Sequence, residues 1–240
     1  MTSLWQFAVL RFTGDHMELK QDIFSSFCTG QHLIDKQNHE RYESTPGYVF
    51  DTLCQELGFM TLAKIDEKTS SFVYALHSPE IIWGFIRMDM PRLNPLDVLT
   101  SQSHTRHIWQ VSTREDMRGW GFFKTAMGAI VEAAEEAGIF LHGISSPFLL
   151  KWPDIDTAEQ FLWFIENENK FFGEQKSWKE QKNQSRKLLK KYQEFGFCKF
   201  RYPQGNGFRN RWKRNNSGFG YLPSGCNETV KETLEDYLRC

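Results

Sequence analysis

One stretch of the chain constrains the rest more than any other: residues 108–138, IWQVSTREDMRGWGFFKTAMGAIVEAAEEAG. Its first residues, IWQVS, are apolar and β-branched enough for a buried strand. Two glycines two residues apart, Gly119 and Gly121, then mark a tight loop. After them Phe123, Met127, Ile130, Val131 and Ala134 recur at helical spacing, and Gly138 offers a left-handed stop. A strand, a glycine loop and a helix in this order form an anion cradle in principle. Glycines let the backbone approach a ligand closely. A helix start presents unpaired N–H groups and the positive end of its dipole. Arg118 adds a full charge. The same spacing also describes a plain structural turn, because glycine turns between strand and helix are common.

A strand at 139–144 follows the helix, so strand, helix and strand form a βαβ unit with a parallel pair. Upstream, 70–77 and 81–90 alternate and pause at Ser78 and Pro79, which predicts a hairpin. Residues 1–69 read as mainly helical, with a strand at 7–12 and helices at 17–27 and 48–57, the second stopped by Gly58. Residues 147–182 read as an insertion. It opens with a capping box at Asp156 and Glu159 and continues as an aromatic helix over 159–168. A further helix over 184–195 stops at Gly196. Segments 197–202 and 208–212 read as a closing antiparallel pair, and 215–240 as a tail with one short helix over 228–238. The expectation is a single α/β domain over 1–240, an α+β mixed sheet with a helical N-terminal region and a helical insertion.

Composition narrows the partners. The 240 residues carry a net charge of −1, but residues 176–214 hold thirteen Lys and Arg against only Glu180 and Glu194. That asymmetry invites an anionic partner, such as nucleic acid, an acidic carrier protein or the phosphates of a large cofactor. A solvated basic helix face explains it equally well. No apolar run is long enough for a transmembrane helix. The N-terminus lacks a basic n-region and a small-residue cleavage site, so no leader is expected. Five scattered cysteines (28, 54, 198, 226 and 240) form no C-x-x-C pair, which suits reduced thiols in a cytoplasm. His104 and His107 sit three apart without a cluster to complete a metal site, and no metal is expected.

Two motifs on this order of elements resemble the GNAT (Gcn5-related N-acetyltransferase) superfamily. Arg118, Gly119, Trp120, Gly121 and Phe122 fit that family's Q/R-x-x-G-x-G/A loop, with Phe123 in place of the last small residue. Lys191-Tyr192-Gln193-Glu194-Phe195-Gly196-Phe197 retains Y-x-x-x-G-F. Ser185 stands where an asparagine often precedes the tyrosine. The resemblance covers roughly 70–212 without the insertion. It implies a GNAT-like acyl-CoA N-acyltransferase fold and direct transfer of an acyl group, acetyl or longer, from CoA to an amine. Gln110, Val111, Ser112 and Thr113 would bond the pantetheine arm, and Arg118, Gly119, Trp120, Gly121, Phe122 and Phe123 would hold the pyrophosphate. Tyr192 would be the general acid. The resemblance leaves the base open; His107 and Glu115 lie near the right region. Trp120, Phe122 and Phe123 read either as an acyl pocket or as core.

Residues 81–113 also resemble the acyl-homoserine-lactone synthases, which share that fold. Arg87, Trp109, Val111 and Ser112 fit their R-L-x-P and W-E-x-S-R motifs. Gln110 replaces the glutamate and Thr113 the arginine, with Arg114 one residue late. In that reading the basic stretch would meet an acyl carrier protein. A third reading is a nucleic-acid-binding or modifying protein of the same fold, using the Arg and Trp mixture at 209–214. Acceptor identity, acyl length and dimerisation are not legible.

Overall fold

The computed structural model describes residues 45–65, 70–78, 81–89, 104–145, 150–173, 177–201 and 218–240. The strand at 7–12, the helix at 17–27, the segment 208–212 and Cys28 lie outside these residues. The described elements run α1 (Pro46–Glu56), β1 (Phe59–Ile65), β2 (Ser70–His77), β3 (Ile82–Asp89), β4 (Thr105–Thr113), α2 (Phe122–Ala137), β5 (Phe140–Ile144), α3 (Ala158–Glu166), α4 (Trp178–Gln193), β6 (Cys198–Phe200), β7 (Gly218–Tyr221), α5 (Glu228–Glu235) and β8 (Leu238–Arg239). The fold is mixed α/β. One eight-stranded sheet has the order β1-β2-β3-β4-β5-β7-β6-β8. The expected hairpin is β2 with β3, and the expected parallel pair is β4 with β5. The helix α2 supplies the crossover that a parallel pair needs.

Both faces of the central strands are buried, so period-two alternation sorts side chains into two cores. Phe72, Tyr74, Ile86, Met88 and Ile108 face α1 and α2. Val73, Ala75 and Phe85 face the insertion, where α3 brings Phe161 and Phe164. A smaller cluster joins Phe140 and Phe200 to Val230 and Leu234 of α5. Helix α1 begins where Thr45 accepts from the Tyr48 backbone N–H and Pro46 occupies the first turn. It is fixed by a buried charge. Arg106 of β4 is fully buried, 3.8 Å from the Asp51 carboxylate, with its guanidinium 4.5 Å from the Phe72 ring centre. The Tyr74 hydroxyl donates to the same carboxylate at 2.5 Å. A buried pair of this kind tolerates loss of neither partner.

Several sequence expectations shift. The capping box of α3 uses Thr157 and Gln160, one residue later than expected. Thr157 has the extended backbone that lets its side chain accept from the third helical N–H, that of Gln160. Helix α4 starts at Trp178, because Ser177 and Glu180 form a capping box of their own. Strand β6 pairs with Gly218–Tyr221, a segment read as tail, and that strand sits between β5 and β6. The expectation of reduced cysteines is corrected for Cys198 and Cys240, which form a disulfide. Antiparallel pairing of β6 with β8 sets Lys199 opposite Arg239 and so brings the two cysteines together. The cysteine pattern therefore no longer argues for a reducing compartment. Cys54 and Cys226 are free and buried. Among the described residues no helix is long and apolar enough to cross a membrane.

Close packing at one glycine ties the sheet to α2. A Cβ on Gly84 of β3 would lie 2.5 Å from the Ser112 carbonyl oxygen and 2.6 Å from Phe122 Cζ. The Phe122 ring fills the space that a side chain would need. Gly84→Ala is expected to lower stability by about 1–3 kcal/mol through overpacking. A urea midpoint that falls at unchanged m-value would show it; an unchanged midpoint would contradict this packing.

Candidate functional site

The site begins with a mismatch in β4. Gln110 pairs with Arg87 and Ile108 pairs with Met88, so Trp109 is one extra residue on β4. This bulge changes the phase of the strand. Ile108 and Val111 both pack toward α1 and α2, although they are three residues apart. Beyond the bulge, Ser112 faces the insertion, and its Oγ accepts from Trp152 Nε1 at 2.8 Å. Gln110, two residues earlier on the strand, shares that face. Trp109 itself is 47% exposed.

The parallel pairing with β5 stops at nearly the same place. It joins Thr105 to Phe140 through Ile108 to Gly143 and goes no further. From Gln110 to Thr113 β4 therefore keeps its β3 partner and, among the described residues, has no ladder partner on the β5 side. An open strand edge in the middle of a sheet is a docking surface for an extended ligand arm. Gln110, Val111, Ser112 and Thr113 all lie on this segment. The Gln110 carboxamide is buried, and among the described residues neither its Oε1 nor its Nε2 has a hydrogen-bond partner. Across from it Arg87 donates to Glu168 Oε1 at 2.7 Å and to Ser71 Oγ at 3.0 Å. Glu168 and Trp152 both come from the region read only as an insertion, whose aromatic periodicity gave no hint that it reaches β3 and β4.

Beyond β4, Glu115–Met117 form a short 3-10 turn and the chain enters the glycine loop. Gly119 and Gly121 have φ of 86° and 89°, a region costly for other residues. Among the described residues nothing lies within 4 Å of where a Cβ would stand at either position. Gly121 is the N-cap of α2 and provides no capping side chain. The start of a 16-residue helix thus opens on a loop with free space above it. Arg118 and Trp120 are exposed, Trp120 at 77%, and Arg118 pairs with Glu115 at 3.5 Å. Phe122 is core rather than pocket lining. Phe123 turns toward α4, its ring 5.4 Å from Tyr192 and 6.0 Å from Phe195. Those three rings therefore do not form a common acyl pocket.

Tyr192 stacks on Phe219 at 3.9 Å between ring centres and meets Phe197 edge-on at 5.4 Å. Burial raises its phenol well above the ordinary range, so the hydroxyl stays protonated at neutral pH. The hydroxyl makes no hydrogen bond among the described residues. The Y-x-x-x-G-F pattern has a local cause as well. Gly196 has φ of 84° and reverses the chain after α4, and Phe197 returns to pack on Tyr192. Ser185 reaches the end of β5 through its backbone, where its carbonyl accepts from Ser145 Oγ at 2.7 Å.

The two residues near the region of a base differ sharply. Glu115 is exposed and paired with Arg118. His107 lies beside His142 in the β4–β5 ladder, with ring centres 5.1 Å apart. Burial lowers the His107 imidazole to about 4, and burial with the neighbouring ring lowers His142 as well. Both are neutral near pH 7. Among the described residues no group of three or more His, Cys, Asp or Glu is placed to hold a metal.

No family model matches the chain, and no curated protein does. Among solved structures the chain is similar to the crystal structure of Tetrahymena GCN5, at 11% identity, over 78% of this chain and 89% of that one, with a TM-score of 0.34. A superposition this loose carries no weight; the mixed α/β assignment stands on strand order and pairing.

The histidine pair generates a pH dependence. A folded-state pKa below the unfolded value means that the native state binds fewer protons, so stability is complete above about 6.5 and is lost as pH falls toward about 4. Urea midpoints are expected to drop across that window, and His107→Asn should flatten the drop. Equal slopes for both proteins would remove His107 from the account.

Proposed function

We propose that the chain is an acyl-CoA-dependent N-acyltransferase. The observation that carries this reading is the open edge of β4 from Trp109 to Thr113 leading directly into a glycine loop that N-caps α2 without a side chain. An arm with amide groups can add to such an edge as a strand would. A pyrophosphate can then meet the loop amides and the helix dipole. Arg118 is exposed at the entrance to that loop. The residues fit such a donor because the space above Gly119 and Gly121 is open.

In this reading the acceptor amine, freed of its extra proton, attacks the thioester carbonyl carbon. A C–N bond forms and the C–S bond breaks. The leaving sulfur takes the proton of Tyr192 Oη, and solvent restores it. A phenol kept neutral by burial is suited to giving a proton rather than taking one. Burial holds the His107 imidazole at about 4, too weak a base for the proton of an ordinary amine, so that proton leaves to solvent. Gln110 cannot take it either, since a carboxamide does not ionise, and this counts against the lactone-synthase-like reading. The acyl group is proposed to be acetyl.

Calorimetric titration with acetyl-CoA, CoA and a longer acyl-CoA tests the reading. Saturable binding is expected, and none to any of the three would overturn it. Gly121→Val forces a branched side chain into positive φ, at roughly 1–2 kcal/mol of strain or more. It should weaken CoA binding at least tenfold while α2 persists in circular dichroism. Tyr192→Phe retains the ring stack, so folding stability and CoA affinity should hold. Turnover should fall, by roughly 10²–10⁴-fold. Unchanged turnover would take Tyr192 out of the mechanism.

A further inference from the structure

The reading above leaves the basic stretch unused. Helix α4 carries Lys179, Lys182, Arg186, Lys187, Lys190 and Lys191, and all six are exposed. Lys179, Lys182, Arg186 and Lys190 are spaced three, four and four apart, which aligns them on one helix face. At 1.5 Å per residue the row extends about 16 Å. None of these four forms an ion pair or hydrogen bond with another described residue. The acids of the helix do not neutralise them. Glu180 is engaged with Ser177 in the capping box, and Glu194 lies beyond the row at the C-cap. Lys191, next to the row, stands 5.9 Å from the Phe123 ring centre, beside Tyr192.

A row of unpaired cations selects for an anionic partner; its apolar content says which kind. Protein interfaces depend on buried aromatic or aliphatic anchors. Among the residues whose exposure is described, the exposed large hydrophobic side chains are Val49, Trp109, Trp120, Trp163 and Phe172, and none falls between Lys179 and Gln193 of α4. A phosphate backbone requires no such anchor. It is held by Lys and Arg alone, with affinity drawn from counterion release. Lysine stems deliver point charges without a fixed fork, which suits a backbone contact and not the reading of bases.

We propose that the outer face of α4 is a nucleic-acid backbone track, formed by Lys179, Lys182, Arg186 and Lys190, that binds without sequence preference. This is independent of the acyl-CoA reading and is measured with no acyl donor present. The probe is a fluorescein-labelled 20-nucleotide RNA of mixed sequence, followed by anisotropy between about 50 and 200 mM salt. Four phosphate contacts at roughly 0.7 each predict a log–log salt slope near −3 and a loss of about 50-fold across that range. The variant K182Q/R186Q/K190Q should weaken binding and flatten the slope by about 2. A control with the same charge change elsewhere, K151Q/K231Q/R239Q, should leave the slope nearly as it was. Circular dichroism confirms that each protein is folded. No binding at the lowest salt, equal slopes for both variants, or equal competition by poly-L-glutamate would each overturn the proposal, the last in favour of an acidic protein.

Discussion

Everything at the site depends on β4 serving two neighbours that make incompatible demands. On one side it must run antiparallel to β3 as far as Thr113 and Gly84. On the other it can stay parallel to β5 only to Ile108 and Gly143. A sheet does not lose a ladder in its middle without a device that redirects the strand. The extra residue at Trp109 is that device. A bulge bends the strand and increases its local twist. It also moves the following side chains to the opposite face. Without it, Ser112 would face α2 and could not meet Trp152 from the insertion. The break in the sheet and the change of face are one event.

The paired half of β4 is held rigidly, so that only the half beyond Ile108 is open. Arg106 anchors the paired half through Asp51 and the Phe72 ring, and Tyr74 shares the carboxylate. On the next residue, His107 is packed beside His142, which itself stacks on Phe140. Charging either imidazole there works against burial, so the ladder that ends at Gly143 is strongest while both are neutral. Gly143 is tight for its own reason. A Cβ at that position would lie 2.5 Å from Phe219 Cζ and 2.8 Å from the Ile108 carbonyl oxygen. Phe219 is the ring on which Tyr192 stacks. The tyrosine is thus placed through one aromatic contact from the point where the strands part.

What was legible in the sequence was local. The glycine loop, α2 and its stop at Gly138 could be read because φ of 86°, 89° and 67° needs glycine wherever it occurs. Gly196 after α4 could be read for the same reason. The bulge at Trp109 could not, since an extra residue on one strand exists only relative to its partner. Phe122 stayed open between pocket lining and core because its destination, the bare backbone of Gly84, lies 38 residues away in the chain. The Cys198–Cys240 bond spans 42 residues and depends on β8 finding β6. Arg87 and Glu168 became an ion pair only when the segment after α3 folded onto the sheet. Each miss is a contact made between distant segments, where periodicity and capping rules give no information.

Phe123 shows how a departure from a motif becomes readable once its surroundings are known. In the sequence it is a bulky residue in a loop that favours small ones. In the fold its side chain leaves the loop and packs against Tyr192 and Phe195, with the Lys191 ammonium over its ring. Its backbone N–H remains at the uncapped start of α2, while its ring joins the first turn of that helix to the last turn of α4. A small residue at 123 would leave the same amides for an anion but would uncouple the two helices. In the acyltransferase reading this ring fixes the distance between the phosphate-holding loop and the proton donor, since Phe122 pins the loop to β3 and Phe219 pins the tyrosine beside β5. Transfer chemistry is sensitive to such placement, because a displaced reacting group forfeits much of what orientation contributes. The aromatic residues around the site therefore act chiefly on geometry. They set where a small number of polar atoms stand, and they keep Tyr192 protonated by excluding water from its ring.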